Sequence, residues 1–212
     1  MDGNGRWARR RSLPRTAGHT EGEENLAAVV RLAVRRDVGW LTVFGFSTEN
    51  WVRPRVEVRH ILGLHKKLFG RVAELNDLNV RVQWIGRPFD SPEARTPRYV
   101  QKAIMKAIVD TAGNTGMVLT VAFDYGSRAE IVHAAEGAIH NGSGRIIAAD
   151  LDAGMYLPEL PPVDVVVRTS GERRISNFLL WQSAGSRVYF TEQTWPDFGA
   201  IELDAAIAIA RR

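Results

Sequence analysis

The chain has 212 residues and no cysteine, and 45% of its residues are apolar while 25% are charged. This composition excludes a disordered chain, a disulfide scaffold, thiolate metal sites and cysteine nucleophiles. Lysine and arginine number 28 against 24 aspartates and glutamates, so the net charge is +4. No apolar run approaches the roughly 20 residues that a membrane-spanning helix needs. We therefore expect a cytoplasmic protein with a single domain over residues 1–212.

Apolar residues at helical spacing alternate along the chain with short runs rich in aromatic and β-branched residues. The pattern predicts helices over 26–36, 56–78, 98–112, 129–139 and 203–210, and strands over 40–46, 80–85, 118–123, 163–167 and 188–190. Because helices and strands alternate, we predict an α/β fold with a central, mostly parallel sheet flanked by helices. The Gly-Ser-Gly run at 142–144 is too short to be a domain linker.

Three polar clusters follow predicted strands of this sheet, over residues 47–53, 124–128 and 168–176. Parallel sheets bind their ligands beyond the carboxyl ends of the strands. We therefore expect the three clusters to share one edge of the sheet, and we place the chemistry at that edge.

The first 20 residues combine a Gly-Asn-Gly run at 3–5 with several arginines and a single acid, Asp2. The glycines let backbone N–H groups approach an anion, and a helix starting near Gly5 would add a favourable dipole. Arg6, Arg15 and His19 supply further donors for a multiply charged anion. A carboxylate beside a phosphate site is suited to hold a divalent cation. The alternative is a flexible basic segment that binds nucleic acid weakly or binds nothing.

The two later clusters allow a functional and a structural interpretation. Ser47 and Asn50 could orient a substrate that Trp51 covers, or they could be turn residues beside a packed tryptophan. Residues 168–176 hold three arginines and three hydroxyls after a buried strand. Forked guanidinium groups and hydroxyls suit a diphosphate, although a solvated charged loop is the alternative. The five histidines lack zinc-ligand spacing.

Taken together, these clusters resemble the cis-prenyltransferase family, which includes the undecaprenyl diphosphate synthases. The matching segments are MDGNGRWA at 1–8, R-x-x-GH at 15–19, FSTENW-x-RP at 46–54, EV at 57–58, DYGSR-x-EI at 124–131, RTSGE-x-RISNFLLWQ at 168–182 and YF…WPDF at 189–198. The resemblance implies an apolar tunnel between sheet and helices, a homodimer, and Mg²⁺-dependent condensation of isopentenyl diphosphate with an allylic diphosphate such as geranyl or farnesyl diphosphate.

The resemblance also implies a role for each matching residue. Asp2, Ser47 and Asn50 would be catalytic, with Asp2 also holding Mg²⁺, and Trp51 would be an aromatic cover. The allylic diphosphate would be bound by Gly3, Asn4, Gly5, Arg6, Trp7, Arg15 and His19. The isopentenyl diphosphate would be bound by Arg53, Arg168, Arg174 and Ser176.

The chain departs from the family pattern in four places. A first strand normally precedes the MDGNGR segment, and a longer tail normally follows WPDF. Arg187 stands where a glutamate linked to Mg²⁺ is usual, and Asp124 replaces a common asparagine. The two terminal departures and Arg187 favour the alternative that the chain is a non-catalytic partner subunit. An enzyme is favoured by the intact Asp2, Arg6, His19, Asn50 and Arg168.

The product length is predicted from residues 86–104 and 122–128, which are most similar to the short-chain (Z)-farnesyl diphosphate synthases. The alternative is a long-chain decaprenyl or undecaprenyl diphosphate synthase. An apolar product could bring the enzyme to a membrane surface. A nucleic-acid partner is not expected.

Overall fold

The structure is a computed structural model that describes residues 1–142 and 144–211. Its helices and strands are, in chain order, α1 (Asn4–Arg10), α2 (Arg15–Val34), β1 (Trp40–Ser47), α3 (Arg55–Phe69), α4 (Val72–Asp77), β2 (Arg81–Ile85), α5 (Arg98–Asp110), β3 (Val118–Tyr125), α6 (Ser127–His140), α7 (Ala148–Gly154), β4 (Val165–Arg168), β5 (Arg187–Phe190) and α8 (Ala200–Ala210). Short 3₁₀ turns cover Thr48–Val52 and Trp195–Asp197. Of the predicted Gly-Ser-Gly run, Ser143 lies outside the described residues, as does Arg212 at the end of the chain.

All strand pairs in the described residues are parallel, which confirms the predicted α/β class. β3 lies between β1 and β2, with Val118 opposite both Trp40 and Arg81. Every residue of β3 is buried, as expected for a parallel strand covered on both faces and both edges. The prediction of one sheet was wrong, because β4 pairs with β5 in a second, two-stranded sheet.

The two sheets face a common groove of about 730 Å³, which β1 and β4 line together with residues 160–164 and α8. Within the described parts of the chain, β1 and β4 are not hydrogen-bonded to each other. For this reason β1 is mostly half-buried although its sequence is typical of a fully buried strand.

Several helix boundaries differ from the pattern. α2 begins at Arg15, well before the predicted start at 26. Its first turns carry glycine and polar residues that line a cavity, so the apolar periodicity that predicts a helix is missing there. The predicted helix over 56–78 is divided into α3 and α4 at Gly70 and Arg71. α7 was not predicted, since its seven residues hold little apolar periodicity. Within the described residues, none of the helices has the length and apolar character that a membrane crossing requires.

Candidate active site

A cavity of about 360 Å³ opens where α1, α2 and α3 meet the ends of β1 and β4. It brings together segments that lie more than a hundred residues apart in the chain. Of the predicted site residues, those that line it are Asp2, Asn4, Gly5, Arg15, His19, Ser47, Asn50, Arg53, Arg168, Arg174 and Ser176. Gly3, Arg6, Trp7 and Trp51 are not among the described residues that line the cavity.

The N-terminal segment is attached to the loop after β4 through its backbone. The N–H of Asp2 donates to Oγ1 of Thr169 at 3.0 Å, and that hydroxyl donates to the carbonyl of Asp2 at 2.9 Å. Gly3 has a φ of +106°, and a Cβ at this position would lie 2.8 Å from Cβ of Ser170. Only glycine fits this close approach, which starts α1 beside the cavity.

The Asp2 carboxylate is the acidic group at the N-terminal side of the cavity. Its Oδ2 accepts a hydrogen bond from Nη2 of Arg168 at 3.0 Å, and Oδ1 accepts from the Gly3 N–H at 2.7 Å. The side chain is 44% exposed, so both oxygens retain room for another partner. The described residues contain no group of three or more metal-ligating side chains. One carboxylate that is open to a cavity fits Mg²⁺, which commonly binds one or two carboxylates and completes its shell with water and substrate phosphates.

Glu57 of α3 joins three of the predicted diphosphate ligands. Its Oε1 accepts from Nη1 of Arg53 at 2.9 Å and from Nη2 of Arg15 at 3.3 Å, and it lies 3.1 Å from Nε2 of His19. Burial alone would raise the pKa of Glu57, but the hydrogen bonds and the arginine charges lower it overall. Burial also lowers the pKa of His19, and Glu57 offsets only part of this effect. Glu57 therefore stays an anion that holds two guanidinium groups at the cavity.

Glu172 pairs with two arginines, Arg6 and Arg174, on the side of the cavity opposite Glu57. Its carboxylate is 3.1 Å from Nη2 of Arg6 and 2.5 Å from Nη1 of Arg174. Arg6 also donates from Nη1 to the carbonyl of Ser170 at 2.7 Å. Arg6 therefore connects α1 to the loop after β4, and its predicted contact with a diphosphate stays a prediction.

Arg168 is the most enclosed cation of the site, with 15% of its side chain exposed. Burial lowers its pKa from the ordinary arginine value, and the nearby Asp2 charge counteracts this. Its Nε is buried without a hydrogen-bond partner among the described residues. A buried N–H with no partner is costly, so this group is suited to an anionic ligand in the cavity.

In the loop after β1, the positions of Ser47 and Asn50 fit both the functional and the structural interpretation. Ser47 and Asn50 line the cavity, but Oδ1 of Asn50 also accepts from the Ser47 N–H at 3.1 Å and closes the turn. Trp51 packs on Phe46, and its Nε1 donates to Oδ1 of Asp124 at 2.7 Å. The predicted role of Trp51 as a cover has no support in this geometry.

Two further predicted positions lie away from the cavity. The indole of Trp7 donates to Oδ1 of Asp197 at 2.9 Å and lies under the guanidinium of Arg11. Arg187 donates from Nη1 to the carbonyl of Ile209 at 3.0 Å, near the end of α8. Arg187 therefore stabilises the helix terminus, where a cation interacts favourably with exposed carbonyl groups.

The remaining cavity wall is largely apolar and is formed by Leu26 of α2, Phe44 of β1 and three side chains of α3, which are Ile61, Leu64 and Leu68. The cavity thus has a cationic half and an apolar half. Such a shape fits a molecule with a charged head and a hydrocarbon chain.

Glu57 and Glu172 were not among the predicted site residues. Glu57 lies four residues after Arg53, a spacing typical of helical ion pairs, although Arg53 stands just before the start of α3. Glu172 is the single acid among three arginines in its segment. Both signals were present, but the contacts of Glu57 with α2 and of Glu172 with α1 depend on tertiary structure.

The chain matches the prenyltransferase family described as undecaprenyl diphosphate synthase over residues 1–210. An isoprenyl transferase of Chromobacterium violaceum is 44% identical over 208 residues, which cover 98% of this chain and 81% of that relative. An isoprenyl transferase of Brucella abortus is 44% identical over 219 residues, covering 100% of this chain and 84% of the relative.

Two solved structures extend this similarity to the fold. Lavandulyl diphosphate synthase from Lavandula x intermedia, in complex with dimethylallyl diphosphate, superposes with a TM-score of 0.90 at 30% identity, covering 100% of this chain and 92% of the other. A probable undecaprenyl diphosphate synthase from Campylobacter jejuni superposes with a TM-score of 0.80 at 28% identity, covering 91% and 89%.

A parallel α/β fold with two cationic groups beside a part-apolar cavity defines an enzyme class suited to amphiphilic anions. The chain belongs to the cis-prenyltransferase family, which confirms the resemblance seen in its motifs. It is a prenyl-transferring enzyme of isoprenoid biosynthesis.

Proposed function

We propose that the protein condenses isopentenyl diphosphate with a short allylic diphosphate, geranyl or farnesyl diphosphate, and that the reaction depends on Mg²⁺. The observation that carries this proposal is that one cavity is lined by Asp2 and by two groups of cationic side chains. Arg15, His19 and Arg53 form one group around Glu57, and Arg168 and Arg174 belong to the other. Two anionic substrates need two such groups, because their charges otherwise repel each other.

The reaction breaks a carbon–oxygen bond of the allylic diphosphate, forms a carbon–carbon bond and releases a proton. Arg15 and His19, with the backbone of residues 3–5, would hold the allylic diphosphate and stabilise the negative charge that develops as it leaves. Arg53, Arg168, Arg174 and Ser176 would hold isopentenyl diphosphate. Ser47 and Asn50 would position it for attack and assist loss of the proton.

Mg²⁺, when bound, would neutralise part of the charge on the departing diphosphate. The residue that would hold it is Asp2, with oxygens of the substrate completing its coordination. The hydrogen bond from Arg168 to Asp2 supports this role, because it orients the carboxylate toward the cavity.

We further propose that the product is short, with (Z)-farnesyl diphosphate as the candidate, and that the apolar half of the cavity is the predicted tunnel. The volume of about 360 Å³ supports a short chain. The family is dimeric by resemblance, and we propose a homodimer that acts in the cytoplasm. The exposed side chains of Met105 and Val109, one turn apart on α5, support an association surface for a second copy.

The test is incorporation of isopentenyl diphosphate by the purified chain, with geranyl or farnesyl diphosphate as the acceptor. The assay is run with Mg²⁺ and with excess EDTA, and product length is measured by chromatography. A metal-dependent product of 15 carbons is the expected result. A ladder near 50 to 55 carbons would instead identify a long-chain synthase.

A folded protein that forms no product with either acceptor would contradict the catalytic proposal. If that inactive chain activated a second prenyltransferase subunit, it would be a partner subunit. Arg187, which stands where the family usually has a glutamate, lies at the end of α8 and away from the cavity. This observation favours testing the second candidate, the partner subunit.

A further inference from the structure

The loop between β3 and α6 contacts the other two predicted loops of the site, although residues 124–128 are not among the described residues that line the cavity. α6 begins after Gly126, which has no side chain to accept from the first N–H groups of the helix. The segment after β4 supplies the acceptors. The N–H of Ser127 donates to the carbonyl of Asn177 at 3.0 Å, and the N–H of Arg128 donates to Oδ1 of Asn177 at 2.9 Å. Asn177 thus caps a helix that lies earlier in the chain.

The amide nitrogen of the same side chain contacts the loop after β1. Nδ2 of Asn177 donates to Oε1 of Glu49 at 2.9 Å. Burial alone would raise the pKa of Glu49, but the hydrogen bond from Asn177 and others from its own segment lower it overall, so Glu49 is an anion. A hydrogen bond to a charged acceptor is stronger than a neutral one. One carboxamide therefore joins the loops after β1 and β4 to the start of α6.

Gly126 leaves room for this carboxamide. A Cβ at Gly126 would lie 2.8 Å from Nδ2 of Asn177 and 2.8 Å from Oγ1 of Thr48. The loops after β1 and β4 therefore both pack directly on the backbone at the junction of β3 and α6. This close packing, with the hydrogen bonds on either side of the amide, fixes the orientation of the Asn177 side chain.

The backbone around Asn177 also depends on these contacts. Ser176 has a φ of +56° and Asn177 a φ of +60°. Residues other than glycine rarely adopt positive φ, and two in succession are unfavourable unless the surrounding structure holds them. Asparagine tolerates this region better than most residues. The contacts of Asn177 therefore stabilise the turn that sets the direction of Ser176.

We propose that Asn177 is a positioning residue for isopentenyl diphosphate, because its hydrogen bonds to Glu49 and to the start of α6 fix the two loops that would bind this substrate. The inference rests on the proposed function. Arg174 and Ser176 line the cavity just before Asn177, and Asn50 lines it directly after Glu49. Neither Asn177 nor Glu49 is found among the lining residues in the described part of the chain, so the effect acts through the loops.

The proposal predicts a defect that is selective for one substrate. The allylic diphosphate would be bound by Arg15 and His19, which lie on α2 and are held by Glu57. A change at Asn177 leaves those contacts in place. The Michaelis constant for isopentenyl diphosphate should therefore rise while that for the allylic substrate stays nearly constant.

The first experiment exchanges the amide and the carboxylate. Asn177→Asp keeps the acceptor for the Arg128 N–H but places two carboxylates where a hydrogen bond stood. We expect it to raise KM for isopentenyl diphosphate at least about tenfold, the worth of a hydrogen bond to a charged group, and to change KM for the allylic substrate less than about threefold. Adding Glu49→Gln restores the contact with donor and acceptor reversed. The double variant should return to within about threefold of the wild-type KM.

Two further variants separate the side chain from the backbone. Asn177→Gly accepts the positive φ but removes the amide, so it should also raise KM for isopentenyl diphosphate. Asn141→Asp makes the same replacement at an exposed asparagine after α6 and should match wild type. Thermal unfolding checks that each variant is folded. Unchanged KM values in Asn177→Asp and Asn177→Gly would overturn the proposal. A rise in both KM values that the double variant does not reverse would overturn it as well, since this is the behaviour of a merely structural residue.

The second experiment does not require turnover. Calorimetry measures binding of isopentenyl diphosphate without an acceptor, so that no transfer can occur. If no variant transfers isoprenyl units, but Asn177→Asp loses affinity for isopentenyl diphosphate and the double variant regains it, the positioning role stands and the proposed activity is wrong. If wild type is active and Asn177→Asp binds isopentenyl diphosphate as wild type does, the activity stands and the positioning role is wrong.

Discussion

Oε1 of Glu57 lies 3.1 Å from Nε2 of His19, and the same oxygen accepts hydrogen bonds from Arg15 and Arg53. One carboxylate oxygen of α3 thus holds two side chains of α2 and one of the loop after β1. The arrangement places two guanidinium groups and an imidazole at one cavity before any substrate is present. Such preorganisation lowers the cost of binding an anion, because the cations do not need to be brought together.

Replacing this carboxylate should impair catalysis more than folding. We expect Glu57→Gln to lower kcat/KM at least about tenfold, corresponding to about 1.4 kcal/mol, because an amide holds the two arginines less well. Steady-state kinetics would check this, with Glu159→Gln as the control at an exposed position. A variant with unchanged kcat/KM would show that Glu57 does not position the cationic group.

Asp2 has a structural role through its backbone and a proposed chemical role through its carboxylate. Its backbone N–H and carbonyl make the contacts to Thr169 and Trp195, while its carboxylate faces the cavity. We therefore expect Asp2→Ala to lower kcat at least about a hundredfold, or about 2.7 kcal/mol, with little change in Tm. Activity assays at several Mg²⁺ concentrations and a thermal melt would measure both. Retention of most of the activity would contradict the proposed metal-binding role.

Acid should destabilise the protein through His65. Burial is the main reason why its pKa falls from 6.5 to about 4, and the nearby His19 lowers the pKa further. The hydrogen bond to Ile61 and the charge of Glu23 raise the pKa and offset part of this decrease. The unfolded chain binds a proton near pH 6.5 and the folded chain does not, so this contribution to stability is complete above pH 6.5 and decreases as the pH falls toward 4. Between pH 6.5 and 5 the loss is about 2 kcal/mol.

Urea unfolding at pH 7 and pH 5 measures this loss. His65→Leu should reduce the pH dependence, because leucine cannot take up a proton in the unfolded state. His140→Leu is the matched control and should retain the wild-type slope. The lowered pKa values of His19 and Glu57 act in the same direction, so a smaller acid loss remains in every variant. A slope unaltered by His65→Leu would disprove the assignment to His65.

Asp124 should matter for stability through Trp51. It is buried with a φ of +52°, and its carboxylate accepts from Nε1 of Trp51 at 2.7 Å and from Oγ1 of Thr96 at 3.3 Å. Asp124→Ala leaves a buried indole N–H without its acceptor and should cost about 2 kcal/mol in the free energy of unfolding. Asp124→Asn should cost less than about 1 kcal/mol, because asparagine tolerates this backbone region and keeps an acceptor oxygen. Equal losses in the two variants would refute this explanation.

The sequence by itself determined the class of fold and half of the residues that line the cavity. Periodicity located β1, β2 and β3 to within two residues, because apolar and β-branched runs, or their alternation with polar residues, are visible in the local sequence. The rule that ligands bind at the carboxyl ends of strands predicted one site for three loops. The cavity brings together the loops after β1 and β4, whereas residues 124–128 after β3 are not among the described residues that line it. The motifs then identified the family.

Tertiary structure alone decided which charged residues act together. The pairing of Glu57 with Arg15 and His19 joins two helices, and the pairing of Glu172 with Arg6 joins segments at opposite ends of the chain. Trp51 donates a hydrogen bond to Asp124 of β3, and His65 packs against Gly45 of β1. In both cases the contact is with a strand elsewhere in the chain. Local periodicity shows which face of an element is buried, but not what it is buried against. Specific contacts follow only from how the elements pack.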